Sequence, residues 1–275
     1  MINALSVDVE DWFQVTAFEK VIDREDWDAC ESRVTSNVHK ILDILSAKGV
    51  RATFFVLGWI AERFPQLVVS IWERGHEIST HGYDHKLIQQ QTKEEFAQDV
   101  AKAIRVLEAI VGEKVVGYRA PSYSIVPETL WAWELLSAQG IRYDSSIFPI
   151  KHDRYGVPGL PRYPFTITLD NDRELVEFPL STVRILGKNI PIAGGGYLRL
   201  YPYWFVKWAV RRINRGGHPV IFYLHPWEID PFQPKQEVSF FEKLRHYSNI
   251  WATESKIKAL IRDFQFAPVR EVLNL

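Results

Sequence analysis

The sequence predicts an α/β protein whose parallel sheet closes on itself as a barrel. Two observations carry this. Short apolar runs alternate with amphipathic stretches of helical period along the whole chain, the pattern of successive strand–helix–strand units. The 275 residues contain no linker, low-complexity run or repeat, so the units read as one domain, 1–275, with an irregular insertion at about 145–201.

Taken in order, Ala4–Val9 reads as a short buried strand that ends in acids. A helix follows from about Ser36, with Val38, Ile41, Leu42 and Leu45 at i, i+3, i+4, i+7 and Gly49 as its stop. Arg51–Leu57 is an apolar strand, Glu62–Arg74 a helix with Pro65 near its start, and Glu77–Thr80 a strand running straight into His81. Thr92 and Glu95 form a capping box for a helix whose buried stripe is Phe96, Val100, Ile104, Leu107 and Val111; Gly112 ends it. Strand Val115–Tyr118, helix Pro127–Gln139 and strand Ile141–Tyr143 follow. The insertion, rich in Pro and Gly (PGLPRYP, then Gly194-Gly195-Gly196), reads as a long loop with short hairpin strands. The rhythm resumes with helix Tyr203–Arg215, strand Val220–Leu224, helix Thr253–Phe264 and a final strand near Val269–Val272.

Composition narrows the function classes. With 33 basic and 34 acidic residues the formal charge is −1, which removes the sequence-wide argument for nucleic acid or an anionic membrane as partner. A 47% apolar and 24% charged content is that of a globular chain able to bury a sizeable core. The single cysteine, Cys30, excludes an intrachain disulfide and a multi-cysteine zinc site. Acids at Asp8 and Glu10 stand where a signal peptide needs basic and apolar residues, and the longest apolar stretch, near Thr53–Ala61, is too short for a membrane span. The expectation is a cytoplasmic enzyme or binding protein. The 10 Trp, 11 Tyr and 16 Phe are an excess that suits sugar rings, although most are expected in the core.

In parallel α/β sheets ligands sit at the carboxyl ends of the strands, so the residues after each predicted strand are informative. Five ends carry acids, histidines or arginine: Asp8-Val9-Glu10-Asp11, His81 to His85, Arg119 to Tyr123, Asp144-Ser145-Ser146 and His225-Pro226-Trp227. Any one alone reads as a cap or a surface group; five on one rim point to a catalytic site. His81 and His85, four apart, can reach one cation through a turn or tight loop, and neutral imidazole suits zinc and similar metals. The string HEIST fails the H-E-x-x-H metalloprotease pattern, because Thr80 stands where the second His belongs. Asp8 and Glu10, two apart on a strand, face the same side, so one can ligate the metal while the other handles protons. Two histidines and one carboxylate leave a position for water, as in hydrolytic metal sites.

Five ordered segments, SVDVEDW, HGYDH, RAPSY, DSSIFP and LHPW, resemble the polysaccharide deacetylases, carbohydrate esterase family 4, over nearly the full chain. The resemblance is greatest to the subgroup associated with bacterial exopolysaccharide gene clusters. It implies a distorted (β/α) barrel with about seven strands and a divalent metal, zinc foremost, held by one acid and two histidines. By that likeness His81 and His85 are ligands, Asp8 is the general base held by Arg119, and the Tyr123 backbone N–H sits in the oxyanion hole. His225 is then the general acid, oriented by Asp144. The family's usual Thr-Phe-Asp-Asp is replaced here by Val7-Asp8-Val9-Glu10, and the spacing favours Glu10 as the metal's acid, with Asp11 as runner-up.

The activity implied is metal-dependent hydrolysis of the acetamide of N-acetylated sugars in an oligosaccharide or polysaccharide, with acetate released. One rival keeps the fold but hydrolyses small cyclic amides, as an allantoinase does; another is a sugar-binding relative that has lost catalysis. A roomy aromatic-lined groove favours the polymer and a sealed small pocket the cyclic amide. Trp12, Trp227, Tyr83 and Tyr123 lie within two residues of proposed site residues, and some of them are expected to form a sugar platform.

Overall fold

The computed structural model describes residues 1–152 and 155–275. Its strands are β1 (Ile2–Val9), β2 (Thr53–Val56), β3 (Glu77–Thr80), β4 (Gly117–Tyr118), β5 (Tyr143–Asp144), β6 (Phe165–Thr168), β7 (Glu174–Glu177), β8 (Thr182–Ile185), β9 (Lys188–Pro191), β10 (Ile221–Leu224) and β11 (Gln265–Ala267). Helices α1 (Val34–Ser46), α2 (Gly58–Arg63), α3 (Pro65–Glu73), α4 (Lys93–Val111) and α5 (Ala132–Ala138) connect the first five strands. The second half adds α6 (Gly195–Leu200), α7 (Tyr203–Arg215), α8 (Phe240–Tyr247), α9 (Ile250–Asp263) and α10 (Val269–Leu273).

Seven strands run parallel in the order β10-β1-β2-β3-β4-β5-β7, and β6 adds to β7 as an antiparallel edge. The fold is thus the α/β type expected, a curled, mostly parallel sheet forming a distorted barrel. Its hydrogen-bonded ladder stays open between β10 and β6 among the described residues. Ser181 partly bridges the gap, its Oγ accepting the Ile221 N–H at 2.8 Å. Ser6 and Val7 pair with both β10 and β2, while Ala4 pairs with both β10 and β11, so β11 and β2 share one edge of β1. β2, β3 and β10 are buried at every position, because helices cover one face and the barrel interior the other.

Several elements differ from the sequence reading for identifiable reasons. The single helix expected over Glu62–Arg74 is two, since Phe64, the residue before Pro65, leaves the helical region (φ −126°, ψ 58°). The final strand near Val269–Val272 is instead α10, and the strand lies just before it, at Gln265–Ala267. Thr53 Oγ1 accepts the Val269 N–H at 2.7 Å and Glu77 Oε2 the Arg270 N–H at 3.2 Å, so side chains of β2 and β3 satisfy the donors of α10's first turn. Segment 145–201 does contain hairpins, β6–β7 and β8–β9, yet β7 joins the main sheet beside β5. The glycine run, expected as loop, opens α6.

Candidate metal centre and active site

The carboxyl ends of β1, β3, β4 and β10 converge on one cavity of about 350 Å³, lined by Asp8, Glu10, His81, His85, Tyr123 and His225 among others. Ligand atoms of Glu10, His81 and His85 all lie within 4.8 Å of one another, and all three side chains are buried. His81 Nδ1 donates to the Arg119 carbonyl at 2.8 Å, which leaves Nε2 with its lone pair toward the cluster. Burial pushes the His81 pKa down to about 4, so the ring is neutral at pH 7. Glu10 Oε2 lies 2.8 Å from His85 Nε2 but accepts no well-directed hydrogen bond, a buried oxygen with its lone pairs unspent. Burial opposes the Glu10 charge, yet His85 and His225 outweigh it and hold this carboxylate well below the ordinary range. One ionised carboxylate, two imidazoles and an orphaned buried oxygen suit a divalent cation with nitrogen and oxygen ligands. The site reads from sequence because Glu10 and His81 directly follow strands and His85 lies on the short loop after β3.

Asp8 faces the same cavity. Arg119, fully buried, donates from Nη1 to Asp8 Oδ1 and to Ser6 Oγ, both at 2.7 Å. Its Nε and Nη2 donate to the Ser145 carbonyl and Ser145 Oγ, each at 2.9 Å. The guanidinium therefore fixes one oxygen of Asp8 and leaves Oδ2 to the cavity, where the Tyr123 hydroxyl stands at 3.4 Å and His225 Nε2 at 3.9 Å. Arg119 and Asp8 are thus brought into direct contact.

His225 follows β10 directly. Its Nδ1 lies 3.2 Å from Glu228 Oε2, an oxygen that also accepts the His225 backbone N–H at 3.0 Å. Glu228 is held in turn by Arg199 Nε at 3.1 Å. Burial disfavours a charged imidazole, but Glu10, Glu228 and Asp8 outweigh it and push the His225 pKa up to about 9. Its Nε2 turns to the cavity, 3.4 Å from Glu10 Oε1. This carboxylate corrects the expectation for Asp144, whose oxygens accept from Trp133 Nε1 at 2.9 Å and from Ser146 Oγ. Asp144 instead pairs with Glu177, which burial and the Asp144 charge hold protonated. Asp144 thereby anchors the strand end whose Ser145 grips Arg119.

Two further expectations are revised. The Tyr123 N–H is spent on the Ala120 carbonyl at 3.0 Å, so it is not free for an oxyanion; the phenol is what reaches the site. Asp11 is fully engaged elsewhere. Its Oδ2 accepts from Ser32 Oγ (2.6 Å), Arg33 N (2.9 Å) and Val34 N (3.1 Å), capping α1, and its Oδ1 takes the Trp12 N–H. Glu10 is the acid that faces the histidines. His85, Ser122 and Tyr123, all lining the cavity, hold φ near +50°, a strained left-handed backbone that clusters at functional sites.

Of the four aromatics singled out, Trp227 and Tyr123 line the cavity. Trp227 is sandwiched between His225 and His246, at 5.0 and 4.2 Å between ring centres, and donates to Glu10 Oε1 at 3.2 Å. Trp12 and Tyr83 are turned away, to the Glu31 carbonyl and to Glu62. Tyr155, Tyr223 and Tyr197 were missed. Tyr155 and Tyr223 line both this cavity and a second one of about 330 Å³, which adds Tyr197, Leu200 and Glu242; Arg245, His225 and Trp227 are also shared. The two cavities form one aromatic-walled cleft across His225.

Residues 26–143 match the family model "Polysaccharide deacetylase", and residues 145–274 match "Domain of unknown function (DUF3473)". These matches support the polysaccharide deacetylase family. Among curated relatives, the peptidoglycan-N-acetylglucosamine deacetylase of Bacillus cereus is 36% identical over 96 residues, 34% of this chain and 35% of that protein. The chain spans about a third of the length of curated relatives such as this one. Among solved structures, a Mycobacterium smegmatis protein described provisionally as a polysaccharide deacetylase superposes with TM-score 0.62 at 20% identity, covering 99% of this chain and 90% of that one. A CE4 family pseudoenzyme from Bacillus anthracis matches at TM-score 0.53 and 16% identity, covering 99% and 65%. Both likenesses establish the deacetylase fold. No helix among the described residues is long and apolar enough to cross a membrane.

Proposed function

We propose that the chain is a metal-dependent N-deacetylase acting on acetamido sugars within an oligosaccharide or polysaccharide, of the exopolysaccharide type. One observation carries this reading: a Glu10–His81–His85 cluster shares its cavity with an Arg-held carboxylate, Asp8, and with an imidazole, His225, whose Nδ1 faces Glu228. A divalent cation, zinc by ligand type, would be held by Glu10, His81 and His85 and would supply Lewis acidity toward water and the amide carbonyl.

The chain's own groups divide the proton transfers. Asp8, its Oδ1 fixed by Arg119, takes the proton of the attacking water at Oδ2. His225, its Nδ1–H directed at Glu228, gives the proton from Nε2 to the leaving nitrogen, as amine departure requires. The Tyr123 phenol, which burial keeps protonated, can donate to an oxygen beside Asp8. Trp227 and Tyr223 wall the site against water. A cleft of two joined cavities is roomier than a small cyclic amide needs, which favours the sugar polymer over the allantoinase-like rival.

The test is acetate release from N-acetylglucosamine and its oligomers, with and without chelator and with zinc restored. We expect chelator-sensitive release that zinc restores, and kcat/KM higher for the tetramer than for the monomer by about tenfold or more, because remote units contribute binding energy. Oligosaccharide binding with no acetate under any metal would establish the binding-protein reading instead.

A further inference from the structure

Helix α7 carries a face that neither the fold nor the cleft uses. Its buried positions are Val206, Ala209, Val210 and Ile213, which pack on the core. Its exposed positions are Trp204, Trp208, Arg211, Arg212 and Arg215. At 3.6 residues per turn these five fall within an arc of about 100°, opposite the buried stripe. Trp204 is 70% exposed and Trp208 40%. The Arg212 guanidinium lies 5.6 Å from the Trp208 ring centre. The helix has no acid, and Asp263, which pairs with its Lys207, is also met by Arg262 and the Tyr203 hydroxyl. Leu200, 55% exposed at the end of the preceding helix α6, lines the second cavity and so puts an apolar residue at the rim of the cleft four positions before Trp204.

Favourable placement of cations at a helix C-terminus accounts for Arg212 and Arg215. It does not account for two tryptophans left in water on the same arc. Indole rings flanked by arginines match the chemistry of one surface in particular, the headgroup layer of an anionic bilayer, where Trp settles at the interface and Arg meets phosphate. Charge complementarity is local here. The chain as a whole carries −1, so the stripe concentrates positive charge that the sum conceals.

We propose that α7 docks this protein onto anionic phospholipid membranes, lying in the plane of the surface with Trp204 and Trp208 at headgroup level and Arg211, Arg212 and Arg215 against lipid phosphates. The protein lies on the bilayer and does not span it. The Leu200 rim of the cleft is then held at the membrane surface, where a membrane-borne glycan would be presented.

The experiment is co-sedimentation of the full chain with vesicles of phosphatidylcholine alone and of phosphatidylcholine with 30% phosphatidylglycerol, at low and high salt. Binding is expected only to the anionic vesicles, and it should weaken with salt. The triple variant Arg211→Gln, Arg212→Gln, Arg215→Gln should lower partitioning about 100-fold, each cation counting for about fivefold. The double variant Trp204→Ala, Trp208→Ala should lower it several-fold at unchanged charge. All five side chains are exposed, so both variants should stay folded, the arginine variant losing only the small C-terminal charge–dipole contribution of Arg212 and Arg215. Equal binding to the two vesicle types, or full binding by both variants, overturns the proposal. So does self-association in the absence of lipid that the tryptophan variant abolishes, or capture by an acidic polysaccharide with none by vesicles.

Discussion

A methyl group on Gly195 would stand 1.6 Å from Glu228 Oε2, and the next nearest atoms belong to the same carboxylate. The glycine is therefore required by close approach. Gly195→Ala must push Glu228 off the His225 Nδ1, and we expect kcat to fall by about tenfold or more with bound metal retained, read by acetate release and elemental analysis. Wild-type kcat in this variant would show that Glu228 does not matter to His225. The carboxylates near β1 separate by a second pair of variants. Glu10→Gln should lose metal at little cost in fold. Asp11→Ala should keep it but lose about 2 kcal/mol in denaturant unfolding, because four donors at two helix starts lose their acceptor. Asp8, Glu10, His81, His85, Arg119 and His225 were legible because each ends a strand or follows one closely, and strand ends can be found from apolar runs. Glu228 was not: it sits one turn beyond His225, and what makes it a partner is Arg199 and Gly195, remote in sequence. Asp144 misled for the converse reason, since it does end a strand but faces Trp133 and Glu177 inside the barrel wall.

At the level of elements, α10 shows what periodicity misses. The run Val269–Val272 looked like a strand because two valines bracket it. Its conformation is decided by Thr53 and Glu77, which offer oxygens to Val269 and Arg270 from strands more than 190 residues earlier. Thr53→Val removes one acceptor without changing shape and leaves the Val269 N–H buried and unmet. We expect a loss of about 1–3 kcal/mol, with acetate release unaffected because the contact lies at the opposite end of β2 from the site. A parallel loss of activity and metal would instead mean that the barrel floor is coupled to the cluster. Where local signals were strong the elements were legible. The Thr92–Glu95 box starts α4 and Gly112, at φ 72°, ends it as read. β4 and β5, two residues each, are shorter than the runs suggested, since each pairs with its neighbours only at the rim beside Arg119 and Asp144.

For the whole molecule, two buried histidines outside the proposed metal cluster link stability to acid. Burial, with Arg74 and Arg51 nearby, pushes His76 down to about 4, and its Nδ1 accepts the Ala52 N–H at 3.1 Å. Burial likewise pushes His246 down to about 3. Unfolded histidines take up protons near pH 6.5. The unfolded state therefore binds more protons between the two values, so stability is complete above about pH 6.5 and declines as pH falls below it. His76→Gln should flatten the decline between pH 6.5 and 5 in urea unfolding, and an unchanged slope would assign the loss to other groups. The same global unfolding tests how the chain is divided. The two family models meet at residue 144, yet the main sheet is shared across that junction at both ends of the first half's strands. β1 pairs with β10 over Ala4–Val7, β5 pairs with β7 across the junction, and Arg119 closes onto Ser145. The site is split in the same way, with Asp8 and the metal cluster from the first half and His225, Glu228 and Tyr223 from the second. Separating the halves would strip a neighbour from β1 and from β5 and leave Arg119 without two of its acceptors, a buried cation at considerable cost. We therefore expect calorimetry to give one transition whose calorimetric and van't Hoff enthalpies agree, and Ser145→Ala, at the seam, to lower that single Tm without splitting it. Two resolved transitions, or a shift in only one of them, would establish that the halves fold as separate units.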